Sequence, residues 1–226
     1  MTREIAANKN PERVRIFVVR HGRTDWNVRK ILQGHIDIAI NDEGKKQAQK
    51  LGHYFKEIKL DRVVSSDLSR CVNTVYYVLD HQDGPDFSVT ADLRERCMGE
   101  VLGLTLLEAL AKYGEDFRRL GEKDEDLVRR VLGVWNRTLK EARADSHRNI
   151  LLCTHGGVIG AFTNYLHERL KYKLGPGVTK KHLRVPYNTS VSVFDVDLDT
   201  GEGIIHKFGI TEHLGAETRS VDQLLR

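Results

Sequence analysis

The chain has 226 residues, 40% of them hydrophobic and 30% charged, which is enough apolar material to bury a core and is the composition of neither a disordered nor a fibrous protein. Its 36 Lys and Arg against 32 Asp and Glu leave a formal net charge of +4 at pH 7, a balance that suits nucleic acid, anionic membrane or small anions without choosing among them. Cys71, Cys97 and Cys153 lie far apart, without the close pairing of a zinc site or a disulfide framework. They read as reduced thiols of a cytoplasmic protein, with the nucleus left open. Residues 1–15 are basic but lack the apolar segment of a signal peptide. No apolar run reaches the ~18 residues that a spanning helix needs, so a membrane role is not expected.

In chain order, residues 1–13 read as a flexible extension, and 14–19 follow as an apolar strand running into Arg20, His21 and Gly22. A helix is expected over 42–58, with Asn41 and Asp42 suited to accept its orphan N–H groups. A strand over 61–65, a helix over 66–80 and a strand over 87–90 come next. Helices follow over 105–113 and 123–144, with Gly114 placed to stop the first. The last stretch holds a strand over 149–154, a helix over 157–170 with Gly175 as its stop, and strands over 190–196 and 203–208. Strands alternating with helical patterns imply a three-layer α/β/α sandwich around a mostly parallel sheet. No repeat or proline-rich linker divides residues 1–226, so one domain is expected.

Ligands of such sheets bind outside the carboxyl ends of the parallel strands. Three exits resemble one another: Arg20-His21-Gly22 after the first strand, Arg70 shortly after the second, and His155-Gly156-Gly157 after "NILLCT". A lone strand-terminal His or Arg is ordinarily a satisfied polar or surface residue; "RHG" at one exit and "THGG" at another would require two independent accidents. If these strands are neighbours, two arginines and two histidines converge beside glycines that admit a ligand to the backbone, and a tetrahedral oxyanion such as phosphate is the natural occupant.

These residues carry a resemblance. "RHGRTDWN", "LQGHIDIAINDEGKKQAQKLG", "VVSSDLSRCVNT", "LRERCMGEVLG" and "THGG" occur in the order found in the histidine phosphatase superfamily, and the chain resembles its phosphoglycerate mutase-like branch from about residue 16 to 196. "HLG" at His213 is similar too. The resemblance implies the phosphoglycerate mutase-like fold and a phosphomonoester phosphatase acting through a phosphohistidine on His21. Arg20, Arg70 and His155 would surround the phosphoryl oxygens, Asn27, Thr24, Gln33, Gly34 and Gly156 would line the phosphate and substrate site, and Glu95 would be the general acid. A neutral imidazole supplies a nitrogen lone pair without a separate base, and arginine forks suit phosphoryl transfer. A surface carboxylate paired with the flanking Arg94 or Arg96 is the competing reading of Glu95.

Arg23 stands where the family commonly has Glu or Gln; it could draw a second substrate anion or point outward. Met98 and the missing proline-bearing segment favour hydrolysis over mutase-type phosphoryl transfer, which stays the alternative, together with a non-catalytic module that docks phosphorylated ligands. Arg118 and Arg119 could grip a second anionic group or form a solvated helix end. The basic stretch 169–184, with six Lys or Arg and no acid, lacks the interleaved aromatics of a single-strand binder, so a small phosphorylated substrate is expected and nucleic acid is not. No metal or other cofactor is expected, because arginine and histidine supply the positive charge. The specific phosphomonoester and the oligomeric state are not legible.

Overall fold

Strands covered on both faces must be apolar on both faces, and RVRIFVVR and NILLCT meet that demand at the centre of the sheet. The computed structural model describes residues 5–8 and 10–215. β1 (Arg13–Arg20), β2 (Arg62–Ser66), β3 (Asp86–Thr90), β4 (Asn149–Thr154), β5 (Lys173–Leu174), β6 (Val191–Asp197) and β7 (Gly203–Ile210) form one sheet in the order β3-β2-β4-β1-β6-β7-β5. β3, β2, β4 and β1 run parallel; β6 is antiparallel to β1 and to β7, and β5 is parallel to β7. β2, β4 and β1 are therefore neighbours whose carboxyl ends open on one side.

Successive side chains of a strand face opposite ways, and here the alternation separates two cores. Phe17, Val19, Val63, Leu151 and Cys153 meet α2 (Asp42–Phe55) and α3 (Ser69–Leu79) through Leu51, Phe55, Cys71 and Val75. Ile16, Val18, Val64, Ile150 and Leu152 meet α5 (Asp124–Ala144) and α6 (Gly156–Glu168) through Val131, Trp135, Ile159 and Phe162. Trp135 is fully buried and packs edge-on against Phe162 and Phe194. A third, smaller cluster of Val101, Ala109 and Phe117 seats α4 (Leu106–Tyr113) beside the sheet. The outcome is the three-layer α/β/α architecture that the sequence implies.

All six expected strands and five expected helices are present, β4 with the expected ends and the others with shifted ones. Asn41 caps α2, its Oδ1 accepting the Gly44 N–H at 2.9 Å. α3 starts at Ser69 because Ser66 stays paired with Thr90 of β3. Gly175 does not end α6: the helix stops at Glu168, Lys171 turns the chain in the left-handed region (φ 60), and Gly175 follows β5. Two short elements were not expected, β5 and α1 (Asp25–Val28), the latter held by a reciprocal Thr24–Asn27 capping box.

Of the expected extension over 1–13, residues 1–4 and 9 lie outside the described residues, and the others make contacts with the sheet and helices. Ile5 is buried in the core under α2. The Asn8 N–H donates to Asn149 Oδ1 (2.7 Å) and its side chain donates to the Arg13 carbonyl (2.6 Å). An apolar anchor and two hydrogen bonds between backbone and side chain hold residues 5 and 8 against the body of the protein, offsetting part of the entropy of ordering them.

Candidate active site

The three strand exits bring the expected residues together. His21 follows β1 and is 3% exposed; His155 follows β4 and is fully buried. Their ring centroids lie 5.2 Å apart. His21 Nδ1 stands 2.7 Å from the Gly22 carbonyl, and a carbonyl only accepts, so Nδ1 carries the proton and Nε2 keeps its lone pair. The Gly22 N–H donates to Thr74 Oγ1 (2.8 Å), and Asn188 Nδ2 donates to the His21 carbonyl (2.9 Å). The nucleophile candidate is thus fixed on three sides.

Arg70, at the start of α3, is 1% exposed. Its Nη1 and Nη2 donate to the carbonyls of Ile36 and Gly34, each at 2.8 Å, and its Nε donates to His155 Nδ1 at 3.1 Å. Among the described residues no carboxylate pairs with it. Burial pulls the guanidinium down from its ordinary value, against Cys71, Glu95 and Asp37, which act the other way. Guanidinium only donates, so His155 presents its Nδ1 lone pair to Arg70 and its Nε2–H to Ser66 Oγ (3.0 Å). Burial, then the charges of Arg70 and Arg20, hold His21 well below the ordinary histidine range, with the Gly22 carbonyl opposing. His155 is lowered by burial and by the same two arginines. Both imidazoles are neutral at pH 7.

Arg20, the last residue of β1, donates through Nη1 to the Pro186 carbonyl (2.7 Å), and a Cβ at Gly156 would stand 3.1 Å from its Nε. Gly156 opens α6, so the orphan N–H groups and the positive end of that helix's dipole lie beside Arg20. Glu95 stands over the same helix start: Oε2 accepts the Gly157 N–H at 3.0 Å and Oε1 accepts the Arg96 N–H at 2.9 Å. A Cβ at position 157 would sit 2.5 Å from Oε1, so only glycine lets the carboxylate this close. Neither flanking guanidinium takes this carboxylate, since Arg94 grips Asp67 (2.8 and 2.6 Å) and Arg96 pairs with Asp124.

The remaining candidates form the adjoining wall. Thr24 Oγ1 donates to Gln33 Oε1 (3.1 Å), Gln33 adjoins Gly34, and Asn27 Oδ1 accepts from Asn188 Nδ2 (3.2 Å). Arg23 is half-buried, and its backbone N–H donates to Gln47 Oε1 (3.0 Å). Arg119 is exposed and paired with Asp116 at 3.3 Å; the Arg118 side chain lies outside the described residues. His213 stacks on Tyr54 and meets Thr189 Oγ1 at 3.2 Å. In the basic stretch, Lys173 pairs with Glu202 and Lys180 with Glu168. The described residues contain no cluster of three or more His, Cys, Asp or Glu able to hold a metal ion, and no helix long and apolar enough to cross a membrane.

Ser66, Thr74 and Asn188 are site residues that sequence reasoning passed over. Ser66 ends β2 and was open to the strand-exit argument. Asn188 precedes β6, and only the antiparallel register Val19↔Val191 brings it to the β1 exit.

The model of the histidine phosphatase superfamily (branch 1) matches residues 16–207. A broad-specificity phosphatase of Saccharomyces cerevisiae is 40% identical over 95% of this chain and 95% of its own. A probable phosphatase of Schizosaccharomyces pombe is 29% identical over 90% of this chain and 97% of its own. Among solved structures, the mycobacterial glucosyl-3-phosphoglycerate phosphatase superposes with a TM-score of 0.74 at 21% identity, covering 88% of this chain and all of that one. By motif, by sequence and by fold, the chain belongs to branch 1 of the histidine phosphatase superfamily.

Proposed function

We propose that the chain, acting as one domain, is a phosphatase that hydrolyses small phosphomonoesters through a phosphohistidine on His21. The observation that carries the reading is a buried guanidinium, Arg70, with no carboxylate partner among the described residues, beside an imidazole whose Nδ1 is committed to the Gly22 carbonyl. Burying an unneutralised cation is costly unless an anion meets it. The names of the two yeast relatives favour hydrolysis.

In the first step the His21 Nε2 lone pair attacks phosphorus, the P–O bond to the leaving group breaks, and Glu95 passes its proton to the departing oxygen. Arg20, Arg70 and the α6 N-terminus surround the three equatorial oxygens, where fixed donors stabilise transition-state charge, and His155, bridging Ser66 and Arg70, holds the Arg70 guanidinium in place beside them. In the second step Glu95, now a carboxylate, takes a proton from water whose oxygen attacks the phosphohistidine. His21 and inorganic phosphate are released. Thr24, Asn27, Gln33 and Gly34 shape the wall on which the leaving group rests. The basic stretch, in which Lys173 and Lys180 are ion-paired, supports a small-molecule substrate over nucleic acid, and three free cysteines fit a reducing compartment such as the cytoplasm.

The test is a rapid acid-free quench after exposure to 32P-labelled phosphomonoester, with excess chelator present. The expected result is an acid-labile, base-stable protein label and undiminished turnover, both lost in His21→Ala. Label that persists in His21→Ala, or turnover restored only by added divalent ion, overturns the scheme.

A further inference from the structure

Glu95 sits on an irregular segment, and a short loop alone does not hold a carboxyl group to the tolerance that proton transfer needs. Arg130 of α5 supplies the missing constraint. Its Nη1 donates to the carbonyls of Asp92 (2.8 Å) and Arg94 (2.7 Å), and its Nη2 donates to the Glu95 carbonyl (3.1 Å). Its Nε and Nη2 also form a fork with Glu122 Oε1 (2.7 Å) and Oε2 (2.8 Å). A guanidinium has five N–H donors, and these five bonds use all of them. None is left for substrate, so Arg130 is not itself a phosphate ligand.

Glu122 closes the far side of the same segment. Its Oε2 accepts the Cys97 N–H (3.2 Å), and its own N–H donates to the Cys97 carbonyl (2.9 Å). Burial resists ionisation of this carboxyl, but the Arg130 hydrogen bond and charge overcome it and hold Glu122 below the ordinary carboxylate range. The pair is largely shielded, with side-chain exposures of 17% and 14%, so solvent screens it less than a surface pair. From the opposite side, His35 Nε2 reaches the Glu95 carbonyl at 2.7 Å and Thr154 Oγ1 donates to the Leu93 carbonyl at 2.7 Å. The backbone from 92 to 97 is thus pinned between α5 and β4 while the Glu95 carboxylate is left to the α6 N-terminus.

We propose that Arg130, clamped by Glu122, is a positioning residue for the acid step: it aims the Glu95 carboxyl at the leaving-group oxygen by fixing the carbonyls of residues 92, 94 and 95. The proposal rests on the reading of Glu95 given above. Lysine cannot replace it, because an ammonium has three donors without a planar fork and cannot span Glu122 and three carbonyls at once.

The experiment reads leaving-group dependence. An acid matters for a poor, alkoxide-like leaving group and little for a good one such as 2,4-dinitrophenolate. kcat/KM, which reports the phosphoryl-transfer step, is measured for an alkyl phosphate and a series of aryl phosphates in wild type, Glu95→Gln, Arg130→Lys and Glu122→Gln. Arg130→Lys and Glu122→Gln are expected to lose about 10–100-fold on the alkyl ester and little on dinitrophenyl phosphate, following the steeper trend of Glu95→Gln. Glu122→Gln keeps the side chain's shape and serves if Arg130→Lys does not fold, which thermal melting checks. A steep dependence in Glu95→Gln with a uniform loss in the other two overturns the positioning role alone. A flat dependence in Glu95→Gln overturns the acid reading and the proposal with it.

Discussion

At the scale of single residues, the hydrogen bond from His21 Nδ1 to the Gly22 carbonyl decides which nitrogen keeps its lone pair, and burial with two guanidiniums decides that it is unprotonated. Because the pKa is lowered, the lone pair survives as pH falls through 6.5 and is lost only at the lower folded-state value. In an NMR titration of the unliganded protein, the ring signals of His21 and His155 should therefore stay neutral below pH ~6.5. Titration of either ring at or above the ordinary value would contradict the electrostatics described. Much of this site was legible: Arg20 ends β1, His21 and His155 come directly after β1 and β4, Arg70 stands four residues after β2, and strand exits are where parallel sheets bind ligands. Asn188 and Arg130 were not, because the first depends on an antiparallel register and the second on a helix packing over a loop, and neither has a local signature.

At the scale of elements, the helix layer holding α2 and α3 is set by backbone approach. A Cβ at Gly52 would lie 2.0 Å from the Tyr77 carbonyl oxygen, and one at Gly44 would lie 2.2 Å from that of Arg23. Both obstacles are backbone, which a rotamer change cannot move. Gly52→Ala is expected to lower the thermal midpoint, with an overpacking cost of about 1–3 kcal/mol, while Gly133→Ala on α5, where nothing lies within 4 Å, should not. Equal midpoints for the two variants would refute the close-packing account. Apolar patterning located every long element, since β1 and β4 are nearly continuous apolar runs and α2 and α5 carry the helical period over many residues. It missed α1 and β5, whose four and two residues are too few to show a period and are held by capping and by an edge pairing.

At the scale of the whole molecule, the two buried imidazoles couple stability to pH. Unfolding exposes them, and the unfolded rings bind protons near pH ~6.5 while the folded ones do not, so protonation favours the unfolded chain. Stability is unaffected by this linkage well above that pH and falls as pH drops toward the folded-state values, by up to about 1.4 kcal/mol per pH unit for each ring. Urea midpoints should decline on acidification in that window, and the decline should flatten in a His21→Gln, His155→Gln double variant. A double variant as acid-sensitive as the parent would rule the linkage out. The extension before β1 belongs to this scale too: its charge and polarity carry no sign of the contacts that Ile5 and Asn8 make with α2 and β4, which depend on three-dimensional placement.

β1 lies between β4 and β6, and the pocket is shared among segments as distant in the chain as residues 20 and 188. No fragment lacking β1 can hold His21 opposite the two guanidiniums; on the proposed mechanism, a refolding chain is expected to recover turnover only once its middle strand has seated. A regain of turnover that precedes the seating of β1 would count against the proposed site.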